Sequence, residues 1–227
     1  MQLSTDKNKY AMSRNKKIIG LTGGIGSGKS IVARILRCNG FEVYDCDSRA
    51  KDLMQKSPAL KSGLVCLLGN EIYNSKDNSL NKALLAKLIF NSEVIRRNVN
   101  ELVHEAVLDD IKKIIFSYKG FFFIESAILF SSGIDKLCDE IWVVTASEQE
   151  RVNRIIKRNP TMSLNDINER INSQKEEKNF LDNQKIFILD NSENKPVLSK
   201  ILLKVKPEIK NNYAEIDFIY NWETGLV

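Results

Sequence analysis

The chain has 227 residues, of which 43% are hydrophobic and 28% charged, so it can build a hydrophobic core, and a disordered protein is excluded. It contains no apolar run near the roughly 18 residues of a membrane span and no signal-peptide pattern, so we expect a cytoplasmic protein with no membrane partner. Residues 1–17 hold five Lys or Arg and one Asp, so most of the net charge of +5 lies in this segment. The rest of the chain is nearly neutral, and we therefore expect no nucleic-acid partner.

The cysteines and the single histidine form no recognisable metal or disulfide pattern. Cys38, Cys46, Cys66 and Cys138 are scattered without C-x-x-C spacing, so we expect reduced thiols and no zinc site. The basic residues 1–14 are predicted to be a disordered tail.

The first predicted elements are a strand over residues 17–21 and the glycine-rich stretch 23–30, which has the spacing G-x-x-x-x-G-K-S. Glycines let the backbone N–H groups approach an anion closely. The apolar residues that follow recur at helical spacing, so the loop opens a helix whose N-terminus favours phosphate. We therefore expect Lys29 to reach the β- and γ-phosphates of a nucleotide and the Ser30 hydroxyl to bind Mg²⁺. The nucleotide-binding residues of this loop would be Gly24, Ile25, Gly26, Ser27, Gly28, Lys29 and Ser30.

Four further strands are predicted over residues 41–48, 121–125, 140–144 and 185–189. The last three are short continuous apolar runs, typical of strands covered on both faces, and helical segments separate most of the strands. The pattern predicts an α/β fold with a five-stranded parallel sheet, formed by residues 15–47, 118–147 and 183–205.

Two insertions interrupt the predicted sheet. Residues 48–117 read as helical and are too long for a simple crossover, so we expect a helical subdomain that covers a second substrate. Residues 148–182 are strongly charged and admit two interpretations: a solvated helix pair, or the arginine-bearing lid that phosphoryl transfer often requires. Arg154 and Arg158 stand one helical turn apart, which favours the lid. Residues 206–227 form a C-terminal extension without a functional prediction.

The P-loop alone predicts nucleotide binding and leaves the class of protein open. The guanine-reading N-K-x-D motif is absent, and no aspartate is followed three residues later by glycine, so a GTPase is not expected. The acid in "FFFIES" could belong to a motor ATPase, although nothing else in the chain supports a motor.

The motifs together resemble the dephospho-coenzyme A kinase family over residues 17–205. The matching segments are "GLTGGIGSGKS", Asp45-Cys46-Asp47, "LLGN" with Gly69, "NSLNKALL", "VNELVHEAV", "SAILFSSG", "RVNRIIKR" with Gln174, and "IFILDN" with Asn191. Four positions depart from the family pattern: Lys82 stands where Arg is usual, Glu105 and Ala127 where Pro is usual, and Ser131 where Glu is usual.

The resemblance implies a P-loop kinase core, a helical substrate subdomain and a helical lid. It also implies a monomer that uses ATP and Mg²⁺ to phosphorylate the ribose 3′-hydroxyl of dephospho-coenzyme A. Another P-loop kinase, or a non-catalytic nucleotide-binding module, are the alternatives.

The resemblance also implies roles for individual residues. Asp47, at the end of the strand next to the P-loop strand, would accept the hydroxyl proton. Alternatively, Asp47 only caps a helix that begins near Ser48. Lys29 and Arg154 would neutralise the transferring phosphoryl group, with Arg158 and Asn191 as further ATP-binding residues. The substrate-binding residues would be Asp47, Lys82, His104 and Glu125, although His104 could be structural and Glu125 could bind metal-bound water or act as a cap.

Overall fold

The fold is a five-stranded parallel sheet covered by helices on both faces. This computed structural model describes residues 16–173, 186–192 and 197–209. Its strands are β1 (Lys16–Thr22), β2 (Glu42–Asp45), β3 (Gly120–Glu125), β4 (Glu140–Thr145) and β5 (Ile186–Asp190). They lie in the order β2-β3-β1-β4-β5, and all neighbours are parallel. The predicted five-stranded parallel α/β sheet is confirmed.

Successive residues of the strands point to opposite faces of the sheet, and both faces are buried. On one face, Ile18, Tyr44 and Phe122 belong to the first sheet cluster, which includes Ile111 and Ile115 of a long helix. On the other face lies the second sheet cluster, whose buried members include Ile19, Val43, Phe123, Trp142 and Leu189. Burial on both faces explains why the strands read as continuous apolar runs.

Helices form most of the described part of each predicted insertion, which for the second one ends at Ser173. They are α1 (Lys29–Cys38), α2 (Cys46–Lys56), α3 (Pro58–Leu68), α4 (Lys82–Asn91), α5 (Glu93–Ser117), α6 (Glu148–Arg158), α7 (Leu164–Ser173) and α8 (Val197–Ile209). Two 3-10 helices lie at Asn70–Ile72 and Ile134–Leu137. We call α2 to α5 the helical insert. No helix among the described residues is long and apolar enough to cross a membrane.

The helical insert has a hydrophobic core of its own. Leu60, Leu64, Ile72, Leu85 and Val99 are among the buried residues of this insert cluster. The long helix α5 also places Val107, Ile111 and Ile115 in the first sheet cluster, so a single helix contributes to both cores. The α5 helix therefore joins the insert to the sheet.

Two expectations about β2 were wrong. The predicted strand 41–48 ends at Asp45, because the Asp45 side chain caps α2 and the chain turns helical from Cys46 onward. In addition, β3 lies between β2 and β1, so β2 is not next to the P-loop strand. The strand β2 has only four residues and its Glu42 is exposed, which suits an edge position better than a central one.

Some predictions fall outside the described residues. These are the tail at residues 1–14, the lid residues from Gln174 to 182, and the extension beyond Ile209. Residues 206–209, which we assigned to the extension, are the last residues of α8.

Candidate active site

The glycine-rich loop connects the end of β1 to the start of α1. Its turn is closed by a hydrogen bond from the Ser27 N–H to the Gly24 carbonyl at 3.0 Å. Gly28 has φ of +93° and caps α1 without a side chain, so the first N–H groups of the helix are open to a ligand. A Cβ at Gly28 would lie 2.1 Å from Asn191 Nδ2, so glycine is required there for space as well as for conformation.

Lys29 lies at the first position of α1 and pairs with a buried carboxylate. Its Nζ is 3.1 Å from Glu125 Oε1, and Arg37 Nη2 is 3.3 Å from Glu125 Oε2. Glu125 is only 5% exposed and receives these two cations, so it does not act as a helix cap. Our sequence reasoning missed Arg37, because nothing in the residue pattern indicates that the C-terminal turn of α1 approaches the end of β3.

The Ser30 hydroxyl is exposed and has no hydrogen-bond partner within the described part of the chain. No group of three or more His, Cys, Asp or Glu side chains able to hold a metal occurs among the described residues. Mg²⁺ in nucleotide sites usually takes one or two protein oxygens and completes its shell with phosphates and water. A single free hydroxyl beside a phosphate-binding loop therefore fits the predicted magnesium site.

Asp45 and Asp47 have different structural roles. The Asp45 carboxylate accepts hydrogen bonds from the Asp47 N–H at 3.0 Å and from the Ser48 N–H and hydroxyl at 3.1 and 2.8 Å. Burial raises the pKa of Asp45, but these hydrogen bonds outweigh it and leave the pKa below its ordinary value. The alternative in which Asp47 only caps the helix is therefore wrong, because Asp45 is the cap.

The Asp47 side chain is exposed in the first turn of α2, at the carboxyl edge of the sheet. Its carboxylate makes no hydrogen bond or ion pair with any residue the structure describes. The neighbouring Cys46 is buried, which raises the pKa of its thiol to about 12 and keeps it protonated. Asp47 is consequently the free acid of the Asp-x-Asp motif.

Two arginines of α6 bind the carbonyl side of the P-loop. Arg154 Nη1 donates to the Gly26 and Ser27 carbonyls at 3.3 Å each, and its Nη2 donates to the Asn191 carbonyl at 2.7 Å. Arg151, which is only 8% exposed, donates from Nε to the Ile25 carbonyl at 2.8 Å. Asn191 Nδ2 also donates to the Ser27 carbonyl, at 2.9 Å. The solvated-helix interpretation fails for this half of α6.

Beyond these two arginines, the described part of the charged segment contains an exposed arginine and a small apolar cluster. Arg158 is exposed at the end of α6. Ile155, Ile167 and Ile171 form the α6–α7 cluster, against which Ile25 of the P-loop also packs. Our sequence reasoning missed the role of Arg151, although its spacing of three residues from Arg154 was the signal that both reach the same surface.

The remaining predicted site residues lie on the helical insert or near β3. Lys82 is exposed at the start of α4, and His104 is half-buried on α5, where burial lowers the pKa of its imidazole and favours the neutral form. No hydrogen bond or ion pair among the described residues connects either of them to the P-loop. Ser131 is exposed, and its hydroxyl donates to the Ile128 carbonyl.

Comparison with known proteins provides independent evidence on the family. A family model described as dephospho-CoA kinase matches residues 17–196. The dephospho-CoA kinase of Porphyromonas gingivalis is 41% identical over 163 residues, covering 71% of this chain and 79% of that protein. That of Bacteroides fragilis is 35% identical over 187 residues, covering 81% of this chain and 89% of that protein.

Solved structures agree with this fold. A Thermus thermophilus crystal structure matches with a TM-score of 0.69 and 26% identity, over 86% of this chain and 98% of that chain. A dephospho-CoA kinase from Campylobacter jejuni matches with a TM-score of 0.61 and 21% identity, over 87% of this chain and 100% of that chain. At that identity the second match concerns the fold alone.

Proposed function

The chain belongs to the dephospho-coenzyme A kinase family, and from that premise we propose how its residues transfer a phosphoryl group. As a family member it is a phosphotransferase that uses ATP to phosphorylate an alcohol group of dephospho-coenzyme A. Family membership decides against the non-catalytic module and against a kinase of another metabolite. The acceptor in our proposal is the ribose 3′-hydroxyl. We also propose that the enzyme works in the cytoplasm. It would work as a monomer, because one chain supplies every proposed group.

Asp47 is the proposed proton acceptor for the ribose hydroxyl. A hydroxyl is a weak nucleophile and needs a carboxylate within hydrogen-bond reach as phosphoryl transfer proceeds. The single observation that carries this role is that the Asp47 carboxylate is exposed and unpartnered among the described residues, while Asp45 caps α2. Ligands of parallel α/β sheets bind at the carboxyl edge, where Asp47 lies.

Lys29 is proposed to stabilise the negative charge that spreads over the transferring phosphoryl group. Its ammonium is held at the end of the P-loop by the buried Glu125 carboxylate, which limits the rotamers that the long side chain can adopt. Glu125 would thus act on the reaction by orienting Lys29, in addition to any contact it makes with the acceptor side.

Arg154 is proposed to hold the P-loop carbonyls away from the phosphates. Because its guanidinium binds the carbonyls of Gly26 and Ser27, the loop N–H groups are left to face the anion. Its charge also adds to the positive potential around the phosphates. The exposed Arg158 follows one turn later and would reach the nucleotide as a second arginine, with Asn191 supporting the loop.

Two further groups complete the proposal. The Ser30 hydroxyl would hold Mg²⁺, which neutralises phosphate charge when bound. On the helical insert, Lys82 and the neutral imidazole of His104 would contact dephospho-coenzyme A. The insert is proposed to be the acceptor-binding part of the molecule because it has a hydrophobic core of its own and its first helix, α2, carries Asp47.

ADP release tests the proposed role of Asp47. With Mg·ATP and dephospho-coenzyme A, Asp47→Asn should lower kcat by about 10²- to 10⁴-fold, the range typical of a lost general base, and leave the KM for ATP unchanged. Adenosine, AMP and shikimate serve as acceptor controls. Asp52→Asn is the matched variant, because Asp52 is a half-exposed aspartate of the same helix that pairs with Lys56, and it should keep the wild-type kcat. Wild-type kcat in Asp47→Asn would remove Asp47 from the chemistry.

A further inference from the structure

One carboxylate on α5 binds residues on both sides of the junction between β2 and α2. Asp110 Oδ2 accepts hydrogen bonds from the Tyr44 hydroxyl at 2.7 Å and from Arg49 Nε at 2.7 Å. Asp110 Oδ1 accepts from Arg49 Nη2 at 3.0 Å, so the arginine binds in the two-pronged geometry that fixes direction as well as distance. We call Tyr44, Arg49 and Asp110 the junction triad.

The junction that the triad encloses has no connecting loop. Asp45 is the last residue of β2 and also the cap of α2, and Cys46 is already helical. Tyr44 precedes the cap by one residue, and Arg49 follows it by one helical turn. Asp47 lies between them. The direction of the Asp47 side chain is therefore set by the angle at which α2 leaves the strand.

The carboxylate at the centre of the triad is fixed to the sheet. In the sequence of α5, Asp110 lies between Val107 and Ile111. Both of these residues are buried in the first sheet cluster, together with Tyr44 and Phe122. The hydrogen bonds from Arg49 hold the pKa of Asp110 below its ordinary value, so the carboxylate is charged at neutral pH. Burial and the hydrogen bond to Asp110 raise the pKa of the Tyr44 phenol, which remains a donor.

We propose that Tyr44, Arg49 and Asp110 are positioning residues that aim the Asp47 carboxylate at the acceptor hydroxyl. The inference rests on the proposed role of Asp47 and assigns the triad a role that acts through Asp47. Without the triad, the strand-to-helix junction would lose the polar contacts that tie it to α5. The first turn of α2 would then sample more than one direction, and small displacements of a reacting group lower the rate strongly.

Steady-state kinetics of Arg49→Met and Tyr44→Phe test this inference. We expect kcat with dephospho-coenzyme A to fall by roughly tenfold to a hundredfold in Arg49→Met and by a smaller factor in Tyr44→Phe. The KM for ATP should not change, because the P-loop lies on other elements. Arg49→Lys should recover part of the lost kcat, since it keeps the charge without the two-pronged contact. Arg96→Met is the matched control, because Arg96 pairs with Glu93 on the surface of α5 and should behave as wild type.

A double-mutant cycle with Asp47→Asn separates positioning from a merely structural role. In the Asp47→Asn background, Arg49→Met should have no further effect on kcat, because the carboxylate it aims is gone. An additive loss in the double variant, or unchanged kcat in both Arg49→Met and Tyr44→Phe while Asp47→Asn is impaired, would overturn the inference and leave the role of Asp47 intact. Wild-type kcat in Asp47→Asn would overturn both. Tyr44→Phe, which removes one oxygen atom, keeps the test open if Arg49→Met does not fold.

Discussion

At the scale of single residues, Gly28 is where three parts of the site come into contact. It closes the P-loop, begins α1 and lies against the Asn191 side chain at the end of β5. Arg154 of α6 is also within contact distance of the position that a Cβ would occupy. The residue therefore has no room for a side chain, and its positive φ would strain any other residue.

We predict that Gly28→Ala raises the KM for ATP by roughly tenfold, which corresponds to about 1.4 kcal/mol of lost binding. The added methyl would displace the Asn191 amide and break its hydrogen bond to the Ser27 carbonyl. Gly120→Ala is the control, because Gly120 has a similar φ of +92° but nothing within 4 Å. It should lower the melting temperature through backbone strain and leave the KM for ATP unchanged. Equal KM values in the two variants would contradict the prediction.

The site residues differ in how far the sequence could predict them. The spacing of residues 23–30 predicts Lys29 and Ser30 because a phosphate nest needs those residue types in that order. The Asp-x-Asp motif does not reveal which acid caps the helix, since both are one or two residues from its start. The approach of Arg37 to Glu125 depends on tertiary packing and leaves no periodic signal in the sequence.

At the scale of elements, α6 and α7 behave as a support for the P-loop. Their small cluster of Ile155, Ile167 and Ile171 includes contacts with Ile25 of the loop, and the arginines of α6 bind the loop carbonyls. The part of the predicted lid up to Arg154 is thus anchored, and the first exposed arginine after it is Arg158. A lid movement would have to begin beyond this anchored turn.

We predict that Ile155→Ala and Ile72→Ala affect different substrates. Both isoleucines are buried, so each substitution should cost about 2–5 kcal/mol of local packing. Ile155 supports the P-loop, so its loss should raise the KM for ATP. Ile72 belongs to the insert cluster, so its loss should raise the KM for dephospho-coenzyme A. A pattern in which both variants raise the same KM would show that the two elements do not serve separate substrates.

The elements were easier to predict than their order. Strands buried on both faces show as continuous apolar runs, and the helices of the insert show their amphipathic spacing. The position of β3 between β2 and β1 has no such pattern. An apolar strand such as Phe121 to Glu125 suits any interior position of a sheet, and only the short, polar β2 carries a hint that it lies at the edge.

At the scale of the whole molecule, the sheet and the helical insert are two cores connected by α5. Leu53 and Val103 pack against both the first sheet cluster and the insert cluster. The contact between the cores is therefore apolar and continuous, and the chain should unfold in one cooperative transition.

We predict that each substrate raises the single melting temperature. A ligand at 100 times its Kd stabilises the folded state by about 2.7 kcal/mol, which for a chain of this size is a rise of roughly 5–10 °C. Differential scanning calorimetry with ATP and with dephospho-coenzyme A measures both shifts. Lys29→Ala should lose the shift caused by ATP and keep the one caused by dephospho-coenzyme A. Two separate transitions, each moved by one ligand, would instead show that the cores unfold independently.

The length of the shared helix α5 also determines how far a tilt of this helix would displace the outer end of the helical insert. Its 25 residues make a rod of about 37 Å, clamped at one end by the first sheet cluster. The part of α5 from Glu93 to Val103, which packs in the insert cluster through Val99, is about 15 Å long. A tilt of about 10° at its base would move its end by about 2–3 Å. The junction with α4, where Phe90 is 91% exposed, lies at that end. A rotation of the helical insert about a point near Val103 would therefore displace each of its residues in proportion to the distance from that point, most of all at this junction.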